Sequence, residues 1–96
     1  MRSGPNAHAI LDALGDPIRR VIYQRLRRKP SNVVDLAKGL PVTRSAVSRH
    51  LQVLKGAGLV EAVARGASQI YSVCPKGLHP LTVWIEKSAA EAGRNT

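Results

Sequence analysis

Residues 43–55 read Thr-Arg-Ser-Ala-Val-Ser-Arg-His-Leu-Gln-Val-Leu-Lys and decide the fold of this chain. At the helical spacing of 100° per residue, Val47, Leu51 and Leu54 fall on one side of this stretch. The opposite side carries cations, hydroxyls and an amide but no acid, and these groups read base edges and grip phosphates. The stretch therefore predicts a DNA-reading helix. We call this side the polar arc; its residues are Arg44, Ser45, Ser48, Arg49, Gln52 and Lys55.

The chain is strongly and unevenly basic. Its 96 residues include 15 Lys and Arg against 6 Asp and Glu, which gives a formal net charge of +9. Most of these cations, but only Asp35 and Glu61 among the acids, lie between Arg19 and Arg65. A central excess of positive charge favours a polyanionic partner. From charge alone, a basic surface that merely faces solvent is the alternative.

Several classes of protein are disfavoured. No apolar run approaches the ~20 residues of a membrane-spanning helix, and the opening Met-Arg-Ser-Gly-Pro-Asn lacks the apolar segment of a secretory signal. The single cysteine, Cys74, cannot form an internal disulfide, which fits a cytoplasmic protein. No nucleophile elbow, phosphate-binding loop or metal-ligand spacing occurs, so we expect neither an enzyme nor a cofactor.

Capping signals and apolar periodicity predict the order α-α-α-α-β-β-α. Asp16-Pro17 begins the second helix and Pro30 ends it, because an N-cap acid followed by proline starts a helix and a proline disfavours helix before it. Either Ser31 or Asn32 can cap the third helix. The predicted elements are helices over 6–14, 17–28, a third ending before the turn 39–42, and 44–56; strands over 59–65 and 69–74, joined by a tip at 66–68; and a last helix from Pro80.

This order is that of a winged helix-turn-helix, mainly α with a small β-hairpin. We expect a single domain over residues 1–96, with 1–5 and 93–96 flexible. A recognition helix inserts its N-terminal residues deepest, and a wing places Arg over the minor groove. His50, on the rim of the apolar side, is interpreted as structural. The predicted contacts to double-stranded DNA are Thr43, Arg44, Ser45, Ser48, Arg49, Gln52, Arg65 and Gln69.

Three runs resemble the motifs of the arsenic-repressor (ArsR/SmtB) family of bacterial transcriptional regulators. Residues 14–20 resemble its L-x-D-P-x-R-R opening, 36–51 its L-A-…-A-V-S-x-H-L core, and 53–60 its L-x-x-A-G-L-V exit into the wing. The resemblance implies a sequence-specific repressor, commonly of its own operon, that is a homodimer through its first and last helices. The interface residues expected from it are Ile10, Leu11, Leu14, Leu81, Trp84, Ile85 and Ser88.

The sequence departs from the metal-sensing members of that family. The arsenic and cadmium sensors carry Cys-x-Cys where Val33 to Ala37 stand here without cysteine. The zinc and nickel sensors carry paired ligands on the last helix, which here offers only His79 and Glu86. We therefore predict a metal-independent regulator whose effector, if any, is unknown. Cys74 is interpreted as a small buried hydrophobe, with thiol sensing as the alternative.

Two other functions stay open at this point. A winged helix can serve as a protein-interaction module, although such modules usually lack a basic recognition face. The charge also permits an architectural DNA-binding protein with little sequence preference. The hydroxyl and amide groups of the polar arc favour sequence readout over both.

Overall fold

A computed structural model of the chain describes residues 6–94. These residues form the predicted winged helix-turn-helix in the predicted order α-α-α-α-β-β-α. Residues 1–5, 95 and 96, which we predicted to be flexible, lie outside the described part. The elements are α1 (Ala7–Leu14), α2 (Pro17–Arg28), α3 (Val33–Ala37), α4 (Arg44–Gly56), β1 (Val60–Arg65), β2 (Ser68–Val73) and α5 (His79–Arg94).

Side-chain caps set the starts of the first four helices. The Asp16 carboxylate accepts hydrogen bonds from the amides of Ile18 and Arg19 at 2.8 and 3.0 Å, as its place before proline predicts. Thr43 caps α4 in the same way, and Asn6 caps α1. Of the two candidates for α3, the cap is Asn32, whose side-chain oxygen accepts from the amide of Asp35 at 2.8 Å.

The other candidate, Ser31, pairs with the wing instead. Its amide donates to the carbonyl of Tyr71 at 3.0 Å, and the amide of Tyr71 donates back at 2.8 Å. This isolated antiparallel bridge ties the loop after α2 to β2 and fixes the hairpin to the body of the domain. The sequence patterns gave no indication of it, because a two-residue bridge has no periodicity.

The hairpin tip and the last helix differ from their predicted bounds. The tip consists of Gly66 and Ala67 only, and the positive φ of Gly66 (61°) with no positive φ at Ala67 fits a type II′ turn. The last helix begins at His79 and continues through Arg94. Residues 93 and 94, which we expected to be flexible, are therefore helical.

The core is formed by α1 to α4 together with the base of the hairpin. Its fully buried side chains include Ile22, Leu36 and Leu59, one from each of three different parts of the fold. Ile10 is also wholly buried. This corrects its predicted place in a dimer interface, because a side chain that is 0 % exposed in the protomer has no surface to offer a partner. By contrast, α5 packs on α1 without burying any of its own residues.

The exit from α4 is a tight turn at Gly58, and Gly77 packs closely against this turn. Gly58 has a φ of 78°, and the amides of Gly58 and Leu59 donate to the carbonyls of Lys55 and Leu54 at 2.9 and 3.0 Å, which is the Schellman pattern of helix ends. Gly77 then passes close to this turn, since a Cβ on Gly77 would lie 2.7 Å from the carbonyl oxygen of Gly58. The turn into α5 is thus packed backbone against backbone.

We expect Gly77→Ala to lower the free energy of unfolding by about 1–3 kcal/mol, because backbone atoms must move to admit the methyl group. The matched control is Gly56→Ala, where a Cβ would meet nothing within 4 Å. That change should leave stability unchanged or raise it by about 0.4–1 kcal/mol. Urea unfolding measures both values, and equal stabilities of the two variants would contradict the close packing at Gly77.

The Asp16 cap also predicts a pH dependence of stability. The hydrogen bond from the amide of Arg19 holds the pKa of Asp16 below its usual value, and this effect outweighs the opposing desolvation. A lowered pKa in the folded state means that the ionised cap stabilises the fold above the unfolded-state pKa of about 4 and loses that contribution as pH falls below it. Asp16→Asn keeps a capping oxygen but does not titrate. The stability difference between the parent and Asp16→Asn should therefore shrink on going from neutral pH to about pH 3 in urea-unfolding series, and a constant difference would contradict this role of the carboxylate.

Candidate nucleic-acid interface

Helix α4 is anchored by its apolar side and presents its polar arc to solvent. Val47, Leu51 and Leu54 are all 0 % exposed. The arc on the other side is exposed along the length of the helix, with Ser48 partly covered. Burial of the apolar stripe leaves the polar arc only one direction in which to point, which is outward.

The cations within residues 6–94 differ in what they contact. Arg44, Arg49 and Lys55 of the polar arc make no hydrogen bond or ion pair within residues 6–94, and neither does Arg65 of the hairpin. Three arginines of α2, by contrast, are held by backbone carbonyls. Four cations that are free to meet a polyanion therefore lie on α4 and the wing.

Two of the arginines held by carbonyls close the C-terminal end of α1. The Arg19 Nε donates to the carbonyl of Ala13 at 2.7 Å, and the Arg20 Nη1 donates to the carbonyl of Leu14 at 2.7 Å. The last carbonyls of a helix have no partner within it, so these bonds satisfy groups that would otherwise depend on water. The adjacent arginines of the opening motif are thus helix caps.

Arg25 holds the turn of the helix-turn-helix. Its Nη1 donates to the carbonyls of Leu36 and Lys38 at 2.9 and 2.7 Å, at the end of α3. The chain then turns through Gly39, whose φ is 75°. Because α2 and α3 both pack on α4, this clamp fixes the turn that leads into the recognition helix.

His50 connects α4 to the junction of α1 and α2. Its Nδ1 lies 3.3 Å from the Nη1 of Arg19, and the same guanidinium reaches the carbonyls of Asp12 and Ala13. The ring is partly buried on the rim of the helix. This contact agrees with the structural role predicted for His50, and it links the opening motif of the chain to the core of the helix-turn-helix.

The two predicted wing residues lie on opposite faces of the hairpin. The register pairs Arg65 with Ser68 and Ala64 with Gln69, and neighbouring residues of a strand point to opposite sides. Gln69 shares its face with Tyr71, which is buried against the body of the domain. Arg65 is on the outer face. The hairpin therefore does not bring Arg65 and Gln69 together on one surface.

The described residues bring together no cluster of metal ligands, and they disfavour ionisation of the cysteine thiol. Within 6–94 no three His, Cys, Asp or Glu side chains lie close enough together to hold a metal ion. Cys74 is partly buried, and desolvation, with a smaller contribution from Glu61, raises the pKa of its thiol. A raised pKa disfavours the nucleophilic thiolate. None of the helices within 6–94 combines the length and apolar character needed to cross a membrane.

An exposed, acid-free helix face within a winged helix-turn-helix defines the class of DNA-binding winged-helix proteins. Comparison with known proteins gives the family. A family model described as a helix-turn-helix domain matches residues 14–63. The HTH-type transcriptional regulator Rv2034 of Mycobacterium tuberculosis is 44 % identical over 75 residues, which is 78 % of this chain and 70 % of that protein. The HTH-type transcriptional repressor SmtB of the same species is 33 % identical over 89 residues, which is 93 % of this chain and 64 % of that protein.

Solved structures agree with this result. An ArsR-like transcriptional regulator from Rhodococcus sp. RHA1 superimposes with a TM-score of 0.81 at 32 % identity and covers 93 % of this chain and 84 % of that one. The homodimeric winged helix-turn-helix domain of Mb0332 from Mycobacterium bovis, a possible ArsR-family regulator, gives a TM-score of 0.69 at 26 % identity, with 93 % and 82 % covered. The chain belongs to the ArsR/SmtB family of winged helix-turn-helix transcriptional regulators.

Proposed function

We propose that this chain is a metal-independent, dimeric repressor that binds an inverted-repeat operator in double-stranded DNA and acts by binding rather than by catalysis. The observation that carries the proposal is the state of the cations on α4. Arg44, Arg49 and Lys55 have no partner within residues 6–94, stand on an exposed face without an acid, and are held there by a buried stripe on the other side. Such a face suits the phosphates and base edges of a major groove.

The contacts divide by their position on the helix. Arg44, Ser45, Ser48 and Arg49 occupy the first half of α4, which enters a groove deepest, and arginine can pair with both acceptors of guanine. Thr43 keeps its hydroxyl hydrogen for a phosphate while its oxygen accepts from the amide of Ala46 at 3.1 Å. Gln52 follows one turn later, at the edge of the groove. On the wing, the outer-face Arg65 suits the minor groove, whereas Gln69 has a weaker case because it shares the face that packs on the body.

Dimer formation is supported by the uncovered apolar surface of α5. This helix has 16 residues and buries none of them, yet Trp84 and Ile85 are 48 % and 49 % exposed. Leu11 of the adjacent α1 is exposed to a similar degree. Monomers rarely expose contiguous apolar patches of this kind, and the related Mb0332 domain is homodimeric. The proposed interface residues are Leu11, Leu14, Leu81, Trp84, Ile85 and Ser88.

The test is a binding measurement by fluorescence anisotropy at about 0.15 M salt, with duplexes tiled across the region upstream of the chain's own gene and a shuffled duplex as control. One tile preferred by about 10³-fold or more is expected of a specific regulator. Weak, uniform binding that falls steeply with salt would instead favour an architectural protein. If the chain captured a protein partner and bound none of the duplexes, the result would favour the protein-interaction module.

Arg49→Ala should weaken binding to the preferred tile by about 1–3 kcal/mol and relax specificity at one base pair in each half-site, because it removes a side chain from the groove and leaves the fold unchanged. The matched control is Lys87→Ala, which removes the same charge from the exposed surface of α5. Anisotropy titrations of both variants against single-base operator variants measure the effect. Equal losses for the two variants would mean that Arg49 contributes only net charge.

The double change Trp84→Glu with Ile85→Glu should convert the dimer to a monomer that keeps its helical content, since both residues are exposed in the protomer. Sedimentation and circular dichroism measure the two properties. The control is Lys87→Glu, which places an acid on α5 away from its apolar stripe and should leave the dimer intact. If the double variant remained a dimer, the interface would lie elsewhere. In the parent protein, footprinting should show two protected half-sites about 10–11 base pairs apart.

A further inference from the structure

A cleft lies where the end of α1, the outer face of α2 and the start of α5 meet. Its volume is about 340 Å³, which falls within the range of roughly 300–1,000 Å³ that small-ligand sites occupy. Leu14, Leu78 and Leu81 provide an apolar floor, and no acid is among the residues that line it. The sequence patterns gave no sign of this site, because its walls come from three separate parts of the chain.

The α2 wall of the cleft is a stripe of hydrogen-bond donors. Arg20, Tyr23, Gln24 and Arg27 follow the spacing i, i+3, i+4, i+7 and therefore share one side of the helix. The Arg27 Nη1 donates to the Oε1 of Gln24 at 2.9 Å. This bond orients both side chains and leaves the Gln24 amide hydrogens and the remaining guanidinium hydrogens of Arg27 without a partner in residues 6–94.

Tyr23 adds a donor that the fold does not use. The residue is only 8 % exposed, yet its hydroxyl makes no hydrogen bond within residues 6–94. Burial raises the pKa of Tyr23, although the charge of Arg27 opposes the effect, so the hydroxyl keeps its proton at neutral pH. The hydroxyl oxygen is open to solvent, since no buried side-chain oxygen or nitrogen within residues 6–94 lacks a partner, so it can donate to water or to a ligand in the cleft.

We propose that this cleft binds a small organic carboxylate with an apolar body. The carboxylate would accept hydrogen bonds from Arg27, Gln24 and Tyr23, and guanidinium groups suit the planar carboxylate in a two-point geometry. The apolar body would cover the three leucines of the floor. An inorganic anion leaves that floor in water, and an uncharged apolar molecule leaves the donors unfilled, so the lining favours a ligand that carries both parts.

Leu14 and Leu81 belong both to this cleft and to the proposed dimer surface. A ligand seated on them would therefore act where the two protomers meet, and its effect on operator affinity rests on the proposed function. Binding to the cleft itself is independent of DNA. The two properties can be measured separately.

The first experiment is a titration of the ¹⁵N-labelled chain with octanoate, acetate and 1-octanol, followed by amide chemical shifts. Octanoate should give saturable shifts at the Gln24 side-chain amide, along α2 and around residues 78–81, with an affinity about tenfold or more above that of either control. If acetate bound as tightly as octanoate, the site would be only an anion contact. If octanol bound as tightly as octanoate, the site would be only an apolar surface. Either result, the absence of saturable shifts, or shifts confined to Trp84 and Ile85 would overturn the proposal.

Variants on one helix separate a specific site from general charge. Arg27→Gln should weaken octanoate binding about tenfold, because it removes a charge-assisted hydrogen bond, and Tyr23→Phe should weaken it by a smaller factor. The matched control is Arg28→Gln, also an exposed arginine, one residue further along, that does not line the cleft. Equal losses for Arg27→Gln and Arg28→Gln would overturn the proposal.

The regulatory arm adds octanoate to the complex of the parent protein with its operator duplex. Release or tightening that Arg27→Gln abolishes and Arg28→Gln retains would identify the cleft as an effector site. If octanoate bound but operator affinity did not change, the cleft would be a ligand site that does not regulate DNA binding. Failure of the chain to bind any duplex would reject the proposed function and leave the octanoate titration as the measure of the cleft.

Discussion

The burial of one apolar stripe on α4 is the constraint on which the rest of the structure depends. Val47, Leu51 and Leu54 close the core, and α1, α2, α3 and β1 all pack against this helix. Burying three such side chains contributes several kcal/mol, at about 1.5–3 kcal/mol each, in a domain whose total stability is of the order of 5–15 kcal/mol. The recognition face therefore cannot rotate away from solvent without loss of the fold.

Arginine serves two purposes in this chain, and hydrogen bonding separates them. Arg19, Arg20 and Arg25 are held by carbonyl groups at the ends of α1 and α3, where they fix the geometry of the helix-turn-helix. Arg44 and Arg49 have no such partner in residues 6–94. Net charge alone would count all five as attraction for a polyanion. The structure assigns the first three to the scaffold and leaves the other two exposed and without a partner in residues 6–94.

The protomer is built unequally around its core. Helices α1 to α4 bury residues in it. Helix α5 instead packs one side against α1, buries none of its residues and leaves Trp84 and Ile85 at the surface. The cleft with the unpartnered Tyr23 hydroxyl lies at the start of the same helix. A domain of this size has a small core, and the part that contributes least to it is the part with most surface available for a second protomer or a ligand.

The sequence by itself determined the features that depend on neighbours a few residues away. The cap at Asp16 and the two faces of α4 were predicted correctly, because a cap or a helical period acts over one or two turns. The tertiary structure decided everything that joins distant parts of the chain. It placed Ile10 in the core and the adjacent Leu11 at the surface, and it paired Arg19 with His50, 31 positions away. It also set the hairpin register, in which the two-residue tip puts Gln69 on the face opposite Arg65, since side chains alternate along a strand and local patterns do not fix the length of a turn.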